Sequence, residues 1–182
     1  MYRSYCWGPG EAAIDKGPDI HQIRCDILAR AFPEGRFVLI FRDPVANVEG
    51  LRRKWKLFGA EPLKETIRFY AAIHETLLDE ISPHKDRLTV VEYERFTRTP
   101  EAVLERLGDR LGLRPAERRR RLPKAPNVEG QGIRNVRGGL IDMVKDSSAR
   151  ARARLAAEDI DQVEQTLTPL VVRLRELAAL TT

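Results

Sequence analysis

The sequence predicts an α/β fold with three layers, in which helices cover both faces of a short, mostly parallel sheet. Two apolar runs, Phe37 to Phe41 and Arg87 to Glu92, are short and rich in strand-forming residues. Such runs suit strands that are buried on both faces of a parallel sheet. Segments with helical spacing of apolar residues lie before, between and after them. The 182 residues, 42% of them hydrophobic, suit one domain with a real core.

The first half of the chain is expected to hold three helices around the first strand. One lies near Ile20 to Ala31 and precedes that strand. Asp43 can cap the next helix, Val45 to Lys56, because it comes directly after the strand and Pro44 suits a first helical turn. A long helix from Pro62 to Ile81 should then lead to the second strand.

The second half is expected to be mostly helical. Thr99 can cap a helix that runs to Leu111, and Gly112 lies at its exit. Residues 114–140 combine prolines and glycines with basic residues, which predicts a long loop or a lid over a site. The chain should finish with two helices, Ser147 to Leu155 and Glu158 to Leu180. We therefore expect residues 1–182 to form a single domain.

Composition excludes several classes of protein. No run of about 18 apolar residues exists, and the polar amino terminus is unlike a signal peptide, which predicts a cytoplasmic protein without a membrane span. Cys6 and Cys25 lack metal-ligand spacing, so free thiols are expected rather than a disulfide framework or a zinc site. The net charge of +5 suits anionic ligands. Because the basic runs lack interleaved aromatic residues, nucleic-acid binding is not expected.

Arg42 is the first candidate for a functional residue. It ends the buried strand Phe37 to Phe41, and open α/β sheets bind their ligands at the carboxyl ends of their strands. A guanidinium group there could hold a phosphate. The alternative is an ordinary strand-end arginine that pairs with Asp43 or with a surface acid.

Four blocks of sequence, in this order, resemble sulfotransferases that use 3'-phosphoadenosine 5'-phosphosulfate (PAPS). The resemblance covers roughly residues 14 to 180 and implies a P-loop NTPase-like fold of sulfotransferase type. The blocks are Lys16-Gly17-Pro18; Ala31 to Phe37 with Arg42-Asp43-Pro44; Leu88 to Pro100 with the helix ending Leu111-Gly112-Leu113; and Asp146 to Ala149 with Leu155 to Ile160.

The chain departs from the family pattern in two places. Members begin with a strand and a phosphate loop that holds the 5'-phosphate and the sulfonate, and nothing here resembles that loop, since Gly10 to Lys16 lacks its spacing. We therefore expect a domain that is incomplete, or truncated, at its amino terminus. The second departure is Gly50, which stands where the family places a serine on the 3'-phosphate.

The resemblance implies a set of residues that bind the cofactor. Arg42 would hold the 3'-phosphate, with the backbone N–H of Gly50 or a water in place of the family's serine. Tyr93 matches a tyrosine that touches the adenine, although a core aromatic at the sheet edge is an equal alternative. Arg134 and Arg137 lie in a basic, glycine-containing segment that would close over the 3'-phosphate.

Two further residues are candidates for catalysis. Lys16 matches a lysine that faces the sulfonate, and Asp15 falls where some members carry a general base for the acceptor hydroxyl. The alternative is a solvated Asp–Lys pair in a turn.

The expected activity is transfer of a sulfonate from PAPS to a hydroxyl or amine of a small-molecule or glycan acceptor. Because nothing resembles the phosphate loop, whether the chain alone is an enzyme stays open. One alternative is a non-catalytic relative that binds adenosine phosphates such as 3',5'-adenosine bisphosphate, or that serves as a partner subunit. Another is a basic scaffold for polyanions, which would show a steep salt dependence and no preference for adenosine.

Two strands alone would leave the sheet with open edges. The expected solutions are a short strand from Tyr2 to Trp7 or Ala12 to Asp15, a segment outside this chain, a homo-oligomer, or a partner chain that covers the open edge.

Overall fold

The computed structural model describes residues 25–54, 62–113, 121–123, 140–142 and 147–181, and the structural statements below concern these residues. They form a mostly helical α/β protein with a small two-stranded parallel sheet. The elements are α1 (Cys25–Ala31), β1 (Phe37–Phe41), α2 (Pro44–Lys54), α3 (Pro62–Ile81), β2 (Leu88–Glu92), α4 (Tyr93–Arg98), α5 (Pro100–Leu111), β3 (Arg121–Pro123), β4 (Leu140–Asp142), α6 (Ser147–Arg152) and α7 (Ala157–Thr181).

Both strands expected from the apolar runs form the parallel pair. The register aligns Phe37 with Leu88 and Phe41 with Glu92, so β1 and β2 end together. The segment predicted as a loop, residues 114–140, contains the short strand β3 and the first residue of β4, and these two strands pair antiparallel.

The second strand begins one residue later than predicted, because Arg87 belongs to the preceding 3-10 helix, Ser82–Arg87. Its guanidinium donates hydrogen bonds to the carbonyls of Phe32 (3.0 Å) and Pro33 (2.6 Å), which lie between α1 and β1. The same turn needs Gly35, because a Cβ there would lie 2.9 Å from the Phe32 carbonyl oxygen. Arg87 thus fixes the entry into β1.

Helix α5 is capped differently from the prediction at its start. Thr99 occupies the N-cap position, but its hydroxyl donates to the carbonyl of Arg95 (3.1 Å) and makes no capping bond. Pro100 takes the first turn as predicted, and Gly112 ends the helix in the left-handed conformation with φ 67°. Between β2 and Thr99 lies α4, which the sequence did not predict.

The hydrophobic core lies against one face of the sheet. On this face Leu39 and Phe41 of β1 and Leu88 and Val90 of β2 belong to one cluster, with side chains from α1, α2, α3 and α7. The cluster also contains the most buried side chains of the long helices, namely Val45, Val48, Tyr70, Val163, Leu167 and Leu174.

The other face of the sheet is covered unequally. Thr89 and Val91 of β2 are 5% and 7% exposed, whereas their register partners Val38 and Ile40 of β1 are 39% and 61% exposed. β2 is therefore buried on both faces, and β1 on one.

The Cys25 thiol is free and buried. Burial, with the nearby carboxylates of Glu80 and Asp26, raises its pKa to about 11. It is therefore protonated and a poor nucleophile at neutral pH. None of the described helices combines the length and the apolar character needed to cross a membrane.

Candidate functional site

The turn between β1 and α2, formed by Arg42 and Asp43 and here called the strand-end turn, is held by hydrogen bonds. One Asp43 carboxylate oxygen accepts from the backbone N–H of Ala46 (2.8 Å), which is the N-cap that the sequence predicted. The Asp43 backbone N–H donates to the Glu94 carboxylate (3.1 Å), and the Arg42 carbonyl accepts from the Tyr70 hydroxyl (3.0 Å). Three elements beyond the turn itself therefore set its position.

The Arg42 side chain lies over Tyr93, the first residue after β2. Its guanidinium carbon is 5.3 Å from the centre of the Tyr93 ring, a distance at which cation–π attraction operates. The structure thus brings together the two residues that the resemblance assigned to the 3'-phosphate and the adenine. They meet because β1 and β2 pair in parallel and end at the same level.

The guanidinium of Arg42 keeps its hydrogen-bonding capacity. Its nearest carboxylate oxygen, on Glu94, lies 3.9 Å from Nε, too far for a hydrogen bond. Nε is buried and makes no hydrogen bond within the described residues, while the side chain as a whole is 34% exposed. Of the partners expected for an ordinary strand-end arginine, Asp43 binds Arg152 instead (3.3 Å), whereas a second acid, Glu94, lies within ion-pair distance of Arg42 without a hydrogen bond. A buried donor of this kind calls for a partner.

Helix α6 brings the carboxyl-terminal part of the chain to the strand-end turn. Ser148 donates to Glu94 (3.2 Å), and Arg152 bridges Asp43 and Glu164, with a distance of 2.7 Å to the latter. The hydrogen bond to Glu164 is the largest cause that raises the pKa of Arg152, and the charge of Asp43 raises it further. Both carboxylates near Arg42, those of Asp43 and Glu94, are therefore already engaged by other groups.

Tyr70 of α3 supports the strand-end turn from the core. It is 1% exposed, and its ring stacks on His74 with the ring centres 4.0 Å apart. Burial lowers the pKa of His74, so the imidazole is neutral, and its Nδ1 donates to the Tyr70 carbonyl (2.9 Å). Burial, with the carboxylates of Asp43 and Glu94, raises the pKa of Tyr70, so its hydroxyl stays protonated and donates to Arg42.

We expect Tyr70→Phe to lower the free energy of unfolding by about 1–3 kcal/mol, because the Arg42 carbonyl would lose its donor in a buried place. Chemical denaturation measures this loss. Tyr93→Phe is the matched control, since the Tyr93 hydroxyl makes no hydrogen bond among the described residues and the ring would stay under Arg42. Equal losses in the two variants would contradict the role of the Tyr70 hydroxyl.

Gly50 lies on the accessible stripe of α2. Asp43, Asn47 and Gly50 follow each other at spacings of four and three, so they share one helix face. They are half-buried, whereas Pro44, Val45, Ala46, Val48 and Glu49 are buried. A Cβ added at Gly50 would meet no atom within 4 Å. The position that the resemblance assigns to a serine therefore has room for one.

The other candidate residues are outside the described residues. Asp15 and Lys16, proposed for catalysis, precede Cys25, and Arg134 and Arg137 fall between β3 and β4. Their predicted roles stay predictions. Among the residues that the structure describes, no group of three or more His, Cys, Asp or Glu side chains could hold a metal ion.

Sequence reasoning missed four residues around the strand-end turn: Tyr70, Glu94, Ser148 and Arg152. Glu94 carried a weak signal, because it follows Tyr93 at the end of an apolar run. Tyr70 looks like any core position on an amphipathic helix, and Ser148 and Arg152 lie about 105 residues or more from the turn along the chain. Only the packing of α3 and α6 reveals these contacts.

Comparison with known proteins gives one match. A family model described as the sulfotransferase family matches residues 3–117, which is more than half of the chain and includes β1, the strand-end turn, β2 and Tyr93. No curated protein and no solved structure matches the chain.

Proposed function

Because the chain belongs to the sulfotransferase family, we propose that the strand-end turn binds the adenosine 3',5'-bisphosphate part of PAPS and that Arg42 holds its 3'-phosphate. The observation that carries this proposal is the Arg42 guanidinium, which lies over Tyr93 at the end of β1 without a hydrogen bond of its own among the described residues. A phosphate oxygen is the acceptor that such a group fits best.

The donor set around the strand-end turn fits this ligand. The carboxylates of Asp43 and Glu94 are neutralised or hydrogen-bonded by Arg152, Ser148 and backbone N–H groups. They therefore repel an incoming phosphate less than two free acids would. The Tyr93 ring offers a surface on which the adenine can stack, as aromatic side chains do with bases.

The remaining roles complete the proposal. PAPS would supply an activated sulfonate, which a hydroxyl or amine of a small-molecule or glycan acceptor receives. Asp15 would take the proton of that acceptor, and Lys16 would stabilise negative charge close to the sulfonate. Arg134 and Arg137 would add positive charge on the 3'-phosphate.

We further propose that the sheet is the centre of a three-layer arrangement of P-loop NTPase-like type. In support, β2 is buried on both faces, with Leu88 and Val90 in the main core and Thr89 and Val91 covered separately. α5 and α7 both contact β2. The layer over Val38 and Ile40 of β1 would then come from outside the described residues.

A non-catalytic relative that binds the nucleotide is the second candidate. It is favoured by the first part of the sequence, in which nothing resembles a phosphate loop between Gly8 and Lys16. Oriented donors at such a loop contribute several kcal/mol to the stabilisation of a transition state. If the protein is such a relative, the strand-end turn binds the nucleotide but no sulfonate is transferred.

Calorimetry on the 182-residue chain tests the binding proposal. We expect 3',5'-adenosine bisphosphate to bind more tightly than adenosine 5'-monophosphate, because only the former carries the phosphate that Arg42 would hold. Equal affinities for the two nucleotides would refute the assignment of Arg42. Incubation with PAPS labelled in its sulfonate then separates the two candidates, since we expect very slow or undetectable transfer from this chain alone and robust transfer would establish the enzyme.

Gly50→Ser should strengthen the binding of 3',5'-adenosine bisphosphate several-fold. The serine hydroxyl would add one hydrogen bond to the 3'-phosphate, with a contribution of about 0.5–1.5 kcal/mol. Calorimetry measures the change. Gly50→Ala is the control, because it fills the same open space and gives the helix a better former without adding a donor. If both variants bind alike, the hydroxyl does not reach the phosphate.

A further inference from the structure

A cavity of about 210 Å³ lies along β2, and none of its lining residues comes from β1. Its walls are four residues of β2 together with parts of α4, α5 and α7. Since β1 occupies one edge of β2, the cavity lies at the other edge. It is separate from the strand-end turn, because Arg42, Asp43 and Tyr93 do not line it.

The charged lining of this cavity is strongly positive. Four arginines face a single acidic residue, Glu92. Arg175 already binds that carboxylate, with two nitrogens at 2.8 Å and 3.1 Å from one oxygen. The other three arginines therefore have no carboxylate partner in the lining. They are Arg95, Arg106 and Arg110.

Two of these arginines are placed to act together. Arg106 and Arg110 are four residues apart on α5, so they project from the same side of the helix. Arg110 is fixed at the start of β2, where it donates to the Leu88 carbonyl (3.3 Å). Arg106 makes no hydrogen bond or ion pair within the described part of the chain and is exposed. An anion could take donors from both.

Apart from Thr89, the rest of the cavity is apolar. Val91 of β2, Val103 and Leu107 of α5, and Ala178 and Ala179 of α7 line it. No aromatic side chain is among its lining residues, so a nucleobase would find no stacking partner. Apolar walls beside a few convergent charged groups are typical of sites for small organic ligands.

We propose that this cavity binds a small amphipathic anion, with a sulfate, phosphate or carboxylate head group held by Arg106 and Arg110 and a short alkyl chain against Val103 and Leu107. The guanidinium groups supply charge-assisted hydrogen bonds to the head group. Burial of the alkyl chain against the apolar walls removes it from water and strengthens the binding further. Neither the anionic head group nor the alkyl chain should bind well alone, so a free inorganic ion should be a much weaker ligand.

Calorimetry on the full chain at low salt tests the proposal. The probe is hexyl sulfate, used far below its critical micelle concentration. We expect hexyl sulfate to bind at least ten-fold more tightly than inorganic sulfate or hexanol. Arg106→Gln should weaken it five-fold or more. Arg173→Gln is the matched control, since Arg173 is exposed on α7 and does not line the cavity.

A second variant fills the cavity without touching a charge. Ala179 is exposed at the rim, so Ala179→Trp should fold normally, as circular dichroism would verify, and should abolish the binding of hexyl sulfate. Undiminished binding in this variant, or equal binding of hexyl sulfate and inorganic sulfate, would overturn the proposal. So would a loss of hexyl sulfate binding in Arg42→Ala, because the probe would then occupy the strand-end turn. Conversely, Arg106→Gln should leave binding of 3',5'-adenosine bisphosphate unchanged. The proposals for the two sites can therefore be refuted separately.

Discussion

Arg42→Ala is expected to weaken the binding of 3',5'-adenosine bisphosphate by about 1.5–3 kcal/mol, the scale of hydrogen bonds to a charged group. This corresponds to roughly a 10- to 150-fold higher Kd. Adenosine 5'-monophosphate should lose much less, because it lacks the phosphate that Arg42 would hold. Calorimetry with both nucleotides on both proteins gives the difference.

The fold should tolerate this substitution. The Arg42 side chain makes no hydrogen bond among the described residues, and the carbonyl that Tyr70 binds belongs to the backbone. Arg36→Ala is the matched control, since Arg36 is exposed just before the opposite end of β1. A similar loss of affinity in both variants would indicate a general effect of charge. An equal loss for both nucleotides in Arg42→Ala would place the residue near another part of the ligand.

The local signals around Arg42 were enough to predict the structure of the strand-end turn. An apolar run of five residues gave β1 its bounds, and Asp43-Pro44 gave the start of α2, because capping and strand formation depend on neighbouring residues. The position of Tyr93 beside Arg42 followed from the parallel pairing of two such runs.

Contacts over long distances along the chain could not be predicted in this way. From the sequence alone, either Arg42 or Arg152 could pair with Asp43. Only the packing of α6 on α2 shows that Arg152 is the partner. In the same way, Arg87 reads as the start of a strand until its hydrogen bonds to the α1–β1 turn are seen. Side-chain contacts that depend on tertiary packing leave no periodic pattern in the sequence.

The uncovered face of β1 leads to the second large expected effect, which concerns association. Ile40 is 61% exposed and Val38 39% exposed, although both lie in a strand whose other face is in the core. Within the described residues β1 pairs only with β2, so no described strand covers its outer edge. Exposed apolar strands with an open edge tend to pair with another chain. We propose that a second copy or a partner chain covers this surface.

The purified protein should therefore be a dimer or larger at micromolar concentration, and Ile40→Lys should convert it to a monomer. A lysine at this exposed position costs the folded monomer little, but a charge in a buried interface would cost several kcal/mol. Multi-angle light scattering measures the mass of each form. Leu180→Lys is the control, because Leu180 is 80% exposed at the end of α7 and should leave the association unchanged.

A compact monomer of the unaltered chain, with strong protection of the β1 amides from hydrogen exchange, would contradict this association. Protection of this edge would then have to come from the chain itself, and the first fifteen residues would supply the missing strand. Asp15 and Lys16 would follow directly from a strand beside β1, and strands parallel to β1 end where Arg42 lies. The finding of a compact monomer would therefore support the catalytic roles proposed for Asp15 and Lys16.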